Sequence, residues 1–103
     1  MTKGNYISKH IKKADNIRLN MFDCYLSAFN KVATDLRIEK SALSILDLGC
    51  GRGEFISYAK AHGFDNIEGC DFDDQCIAIS KTRGRVFKFD IGREKLHKHY
   101  DII

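Results

Sequence analysis

The chain has 103 residues, 44% of them hydrophobic and 11% aromatic, with 17 Lys and Arg against 14 Asp and Glu and a formal charge of +3. That length holds one small domain with a core and excludes two, and the hydrophobic share excludes a disordered polymer. No apolar run approaches the ~18 residues a membrane span needs, and no signal-type apolar core follows the basic N-terminus, so a cytoplasmic protein with no membrane partner is expected.

From about Asp15 to Glu39, Ile17, Met21, Cys24, Tyr25, Ala28, Phe29, Val32 and Leu36 recur at spacings of three and four, which predicts one apolar face of a long helix. That helix is expected to pack against a sheet or cover a ligand pocket, and residues 1–42 are read as an N-terminal helical segment, distinct from residues 43–103. Ile45-Leu46-Asp47-Leu48 carries a strand signal and runs directly into Gly49-Cys50-Gly51-Arg52-Gly53. A helix is predicted from about Glu54 to His62, with Gly63 as its C-terminal cap. Asn66 to Asp71 reads as a second strand. A third helix follows from about Asp74 to Thr82 with Ile77 inward, and Gly84 turns the chain into a third strand, Arg85 to Phe89, ending in Asp90. Strands alternating with helices imply an α/β fold with parallel pairing and right-handed crossovers.

The glycine-rich turn concentrates the chemistry. Without a Cβ at Gly49, Gly51 and Gly53 the backbone can turn sharply and approach a ligand, and N–H groups at the next helix start favour an anionic group. A tight turn that binds nothing is the competing reading. A dinucleotide fingerprint requires Gly-x-Gly-x-x-Gly, whereas Glu54 takes the place of the third glycine here. A carboxylate in the first helical turn would repel a pyrophosphate, which disfavours an NAD-binding Rossmann protein. No Gly-Lys-Ser/Thr follows, so the loop is not a P-loop.

Asp47 to Gly53 resembles motif I of the class I S-adenosylmethionine-dependent methyltransferases. The resemblance implies a Rossmann-like parallel sheet with flanking helices and S-adenosyl-L-methionine as cofactor. It implies that Asp47 holds the cofactor's ammonium, directly or through water, while Gly49, Cys50, Gly51 and Gly53 wrap its amino-acid end. Asp71 would accept hydrogen bonds from both ribose hydroxyls. Phe72 would offer an apolar face to adenine, Asp90 would accept the adenine amino group, and Ile91 would present its N–H to a ring nitrogen. Plainer readings stand beside these: Asp71, Asp73 and Asp74 as a helix N-cap cluster, Asp90 as a turn aspartate, Phe72 as a half-buried aromatic.

Tyr100-Asp101-Ile102-Ile103 resembles the opening of the family's fourth strand, so the resemblance covers Leu43 to Ile103, the cofactor half alone. A fragment, truncated product or degenerate copy is expected, inactive by itself and dependent on a partner chain or the missing half, with its catalytic residues unassigned. Arg52-Gly53-Glu54-Phe55 resembles methyltransferases of polysaccharide and glycan modification, a hint at a glycan-related acceptor. The alternative is a non-catalytic module that binds the cofactor or a partner. Cys24, Cys50, Cys70 and Cys76 show no zinc-type spacing, and His97 and His99 read as solvated, so reduced thiols and no metal are expected. Basic clusters at Lys3 to Arg18 and Arg83 to Lys98 lack the interleaved aromatics of a single-strand binder, which favours a solvated surface over a nucleic-acid partner.

Overall fold

The computed structural model describes the backbone of residues 3–103 and the side chains from Ile17 onward. Helices and strands alternate as α1 (Lys3–Leu36), β1 (Ile45–Leu48), α2 (Glu54–Ala61), β2 (Ile67–Asp71), α3 (Asp74–Ser80) and β3 (Arg85–Lys88). The strands form one parallel sheet in the order β1-β2-β3, with Ile45 opposite Ile67 and Glu68 opposite Arg85. On the other edge of β1, Ile102 forms a parallel bridge with Ile45, and its carbonyl accepts the Leu46 N–H at 2.9 Å. The result is the Rossmann-like parallel sheet that the resemblance implied, and in it β1 lies between two neighbours.

Alternation along the strands divides the core between the two faces of the sheet. Ile45 and Ile67 face Leu26 and Ala33 of α1, Ile56 and Ala59 of α2, and the fully buried Phe64. Leu46 and Cys70 face the other way, under Phe89, Leu96 and Tyr100. Local chemistry sets the boundaries. Gly63, at φ 90°, lets α2 end in a Schellman turn, with the Phe64 N–H bonding to the Ala59 carbonyl and the Gly63 N–H to that of Lys60. Asp73 caps α3, its carboxylate accepting the N–H groups of Gln75 and Cys76 at 2.8 and 3.0 Å. Arg37, left-handed at φ 56°, stops α1 as the Ile38 N–H turns back to the Ala33 carbonyl.

Two features of α1 differ from the sequence reading. It begins at Lys3 rather than near Asp15, because apolar spacing marks where a helix packs and not where its backbone starts. Its packed face is also partly rotated: Phe29 and Val32 of the predicted face meet the core, joined by Phe22, Leu26 and Ala33, while Ile17, Met21, Cys24, Tyr25, Ala28 and Leu36 are exposed. The helix carries apolar residues on more than one face, and the aromatic partners on α2 select among them. Phe22 and Phe29 set ring edges against Phe55, with centroids at 5.0 and 5.8 Å. Two polar contacts flank this stack, Arg18 with Glu54 and the Tyr58 hydroxyl with Asp23. Among the described residues no helix is long and apolar enough to cross a membrane.

The last residues are held from two sides. Glu68 accepts hydrogen bonds from Lys98 Nζ and Tyr100 Oη, both at 2.8 Å, and Asp101 exchanges bonds with Ser44 through its N–H and its carboxylate. Burial alone would push the Glu68 carboxyl up; the Lys98 and Tyr100 hydrogen bonds and the Arg85 charge hold it below the ordinary carboxylate range.

Gly69 of β2 is a packing glycine that the sequence reading did not single out. A Cβ there would lie 2.6 Å from Ile56 Cδ1 and 2.9 Å from both Cβ and Sγ of Cys50. Gly69→Val should therefore destabilise the chain by about 1–3 kcal/mol, the usual scale of overpacking. Urea unfolding that returned the parent midpoint would show that the strand tolerates the bulk.

Candidate ligand-binding site

The site grows from the loop that joins β1 to α2. Gly49, Gly51 and Gly53 have φ of 77°, 56° and 81°, the left-handed region that side chains disfavour. Their surroundings differ. A Cβ on Gly49 or Gly51 would meet nothing within 4 Å among the described residues, whereas one on Gly53 would lie 3.0 Å from Ser80 Cβ and 3.2 Å from Arg83 Cδ. The first two glycines leave open space beside the loop; the third lets the start of α2 approach the end of α3.

The loop is sewn to the end of β2. The N–H groups of Gly49 and Cys50 both donate to the Cys70 carbonyl, at 2.8 and 2.9 Å, and the Gly53 N–H donates to the Cys50 carbonyl at 3.0 Å. Gly51 donates to Asp71 Oδ2 at 2.9 Å, and the other carboxylate oxygen, Oδ1, accepts the Asp73 N–H at 2.9 Å. The Asp73 N–H above all, with help from those of Gly51 and Phe72 and against a burial effect of opposite sign, holds the Asp71 carboxyl below its ordinary range.

Asp47 is the converse case. It is half-buried on β1, and no described residue donates a hydrogen bond to its carboxylate. Burial first, and then the Asp71 charge, push its carboxyl up. A cation beside Asp47 would relieve both effects. Burial above all pushes the thiol of Cys50, beneath the loop, up to about 11, which keeps it in the protonated form.

A cavity of about 660 Å³ opens over these groups, in the range of small-molecule sites. Its lining joins Asp47 and the loop from Gly49 to Arg52, with Glu54, to the rings of Phe22, Tyr25 and Phe29 of α1 and Phe55 of α2, and to Ile102 and Ile103. Of the residues singled out in the sequence, Asp47, Gly49, Cys50 and Gly51 thus line the cavity. Asp71 joins them through Gly51, and Gly53 is buried behind them. Phe72, Asp90 and Ile91 stand outside the cavity, at the same ends of β2 and β3. Phe72 is 62% exposed with Lys88 Nζ 5.4 Å from its ring centroid, Asp90 Oδ1 accepts the Gly92 N–H at 3.0 Å in a turn, and Ile91 is 72% exposed. The sequence reading placed Tyr25 and Phe29 on a helix expected to cover a pocket or pack on a sheet, and missed Phe22. Phe22, Tyr25 and Phe29 stand three and four residues apart, a signal that was present, but Phe22 fell outside the predicted face.

A family model described as a methyltransferase domain matches residues 17–103. No match is found among the curated proteins. Among solved structures, the chain is similar to the plantazolicin methyltransferase BpumL in complex with a triazolic desmethylPZN analog and SAH, with 25% identity over 91% of this chain and 39% of that one and a TM-score of 0.61. It shares its fold with SAM-bound CalS10, an amino pentose methyltransferase from Micromonospora echinaspora, at 21% identity over 78% of this chain and 34% of that one and a TM-score of 0.59. It also shares its fold with a TehB-like SAM-dependent methyltransferase from Corynebacterium glutamicum, at 21% identity over 77% and 50% and a TM-score of 0.52. The chain spans between a third and a half of the length of these proteins. With the family match extending over most of its residues, the chain belongs to the methyltransferase domain family, in the class I S-adenosylmethionine-dependent group that its glycine loop resembles.

Proposed function

We propose that this chain is the cofactor-binding portion of an S-adenosylmethionine-dependent methyltransferase that acts on a small molecule. The observation that carries the reading is the polarity of the loop. Its amides at Gly49, Cys50, Gly51 and Gly53 are already bonded within the protein, so they are not free to cradle a pyrophosphate. The charged side chains at the cavity are the carboxylates of Asp47 and Glu54 beside the guanidinium of Arg52, and Asp47 lacks a hydrogen-bond partner among the described residues. An unpartnered carboxylate beside a loop whose amides are taken suits the ammonium of an amino-acid end better than a pyrophosphate. The open space beside Gly49 and Gly51 leaves room for such a ligand against the backbone.

In this reading Asp47 receives the ammonium of the amino-acid end. Asp71, fixed by two amides, keeps lone pairs on both oxygens for ribose hydroxyls. Asp90 and Ile91, at the end of β3, and Phe72, at the end of β2, are assigned to the adenine. When bound, the cofactor supplies a sulfonium-activated methyl and so a leaving group that needs no protein acid. What remains for the protein is to orient the acceptor and exclude water, which the apolar part of the cavity lining is suited to do. BpumL, which carries an azole-bearing analog together with SAH, supports a small-molecule acceptor.

Calorimetry with S-adenosylhomocysteine and with NAD tests the ligand class; binding of NAD alone would overturn the proposal. Asp71→Ala should weaken S-adenosylhomocysteine by about 1.5–3 kcal/mol, the scale of a charged hydrogen bond. Unchanged affinity in a folded variant would remove Asp71 from the site.

Asp47→Asn should act in two directions. Because the folded state raises the Asp47 pKa, its contribution to stability is full below the unfolded value and is lost as pH rises through the folded one. At pH 7 the ionised group therefore opposes folding. The variant should melt higher than the parent without ligand, yet gain less Tm from S-adenosylhomocysteine. A variant that lost stability at pH 7 and kept the full ligand shift would contradict the assignment.

A further inference from the structure

We infer that the α1 side of the cavity is the acceptor subsite, that it selects a flat aromatic ring bearing a hydrogen-bonding substituent, and that Tyr25 is its specificity-determining residue; this rests on the cofactor reading above. The cavity lining combines two chemistries. Asp47, Arg52 and Glu54 supply charge beside the glycine loop, and Phe22, Tyr25, Phe29, Phe55 and Ile103 supply an aromatic and aliphatic wall. A methyl donor anchored by its ammonium on Asp47 leaves that wall to the other reactant.

The wall is rigid where it matters. Phe55, in the first turn of α2, is the hub, with the rings of Phe22, Tyr25 and Phe29 set edge-on to it at 5.0, 5.7 and 5.8 Å and interplanar angles of 65°, 88° and 75°. Interlocking edge-to-face contacts fix ring orientations, so the wall offers flat surfaces prepared before any ligand arrives. Tyr25 is the outermost of these rings. It remains 45% exposed although its ring packs on Phe55, and its hydroxyl has no hydrogen-bond partner among the described residues. A tyrosine held in place by its ring with its hydroxyl free supplies both a stacking face and a polar contact to a ligand in the cavity. The preponderance of aromatic surface on this wall favours a flat ring over a sugar.

The test uses the full 103-residue chain saturated with S-adenosylhomocysteine. Indole, 5-hydroxyindole and methyl glucoside are titrated as probes and followed by ligand-observed NMR. Indole and 5-hydroxyindole should bind at least tenfold more tightly than methyl glucoside. Tyr25→Ala should weaken both indoles tenfold or more while S-adenosylhomocysteine affinity stays within twofold. Tyr25→Phe should weaken 5-hydroxyindole about fivefold and leave indole unchanged. A preference for methyl glucoside, or indole binding unaltered in Tyr25→Ala, would overturn the inference while leaving the cofactor reading intact. Parent protein that fails to bind S-adenosylhomocysteine would overturn both.

Discussion

The end of β2 governs this structure. Within two residues, the carbonyl of Cys70 and the carboxylate of Asp71 take the amides of Gly49, Cys50 and Gly51, so one strand end dictates the path of a loop 20 residues earlier in the chain. Everything at the cavity follows from that seam. The left-handed glycines are required because only they can turn all three amides toward β2, and α2 starts where the loop delivers it. Asp47, on the neighbouring strand, is left facing a second carboxylate with no bonded partner among the described residues.

Packing extends the same logic outward. Gly69 admits Cys50 and Ile56 to within van der Waals reach of β2, so the loop is pressed against the sheet as well as bonded to it. On the far side of β1, Ile102 and Ile103 complete the cavity wall, and their position depends on Glu68 holding Lys98 and Tyr100 and on the Asp101–Ser44 exchange. Those contacts lie well away from the glycine loop, yet they set one wall of the same cavity. The surface pairs that flank α1 contribute less, since exposed ion pairs are worth at most ~1 kcal/mol; the aromatic stack on Phe55 does most to seat that helix.

Much of this was legible in the sequence, for reasons that can be named. The strand before the glycines, the Gly63 cap and the Asp73 cap are local signals, each decided by one or two residues, and each falls at the expected position. Asp47, Gly49, Cys50 and Gly51 were legible as one group because they are consecutive or nearly so. The packed face of α1 was legible only at Phe29 and Val32, because Ile17, Met21 and Tyr25 compete in the sequence with Phe22 and Leu26, and only the packing of α2 decides between the two sets. Gly69 was missed because a glycine needed for space leaves no signal in its own φ; its necessity lies in Cys50 and Ile56, which the chain brings to it only after folding. The bond from Gly51 to Asp71 is likewise a tertiary event that no spacing rule encodes.

That bond has an evolutionary consequence. A side chain that both shapes a loop and faces a ligand cannot drift freely, because any replacement for Asp71 must also satisfy the Gly51 and Asp73 amides or leave them unpaired. Positions 51 and 71 should therefore behave as a coupled pair, with the effect of a change at one depending on the residue at the other. A lineage that abandoned the ligand would still feel pressure to keep an acceptor at 71. The persistence of that carboxylate in a relative would then record the loop's architecture rather than its chemistry.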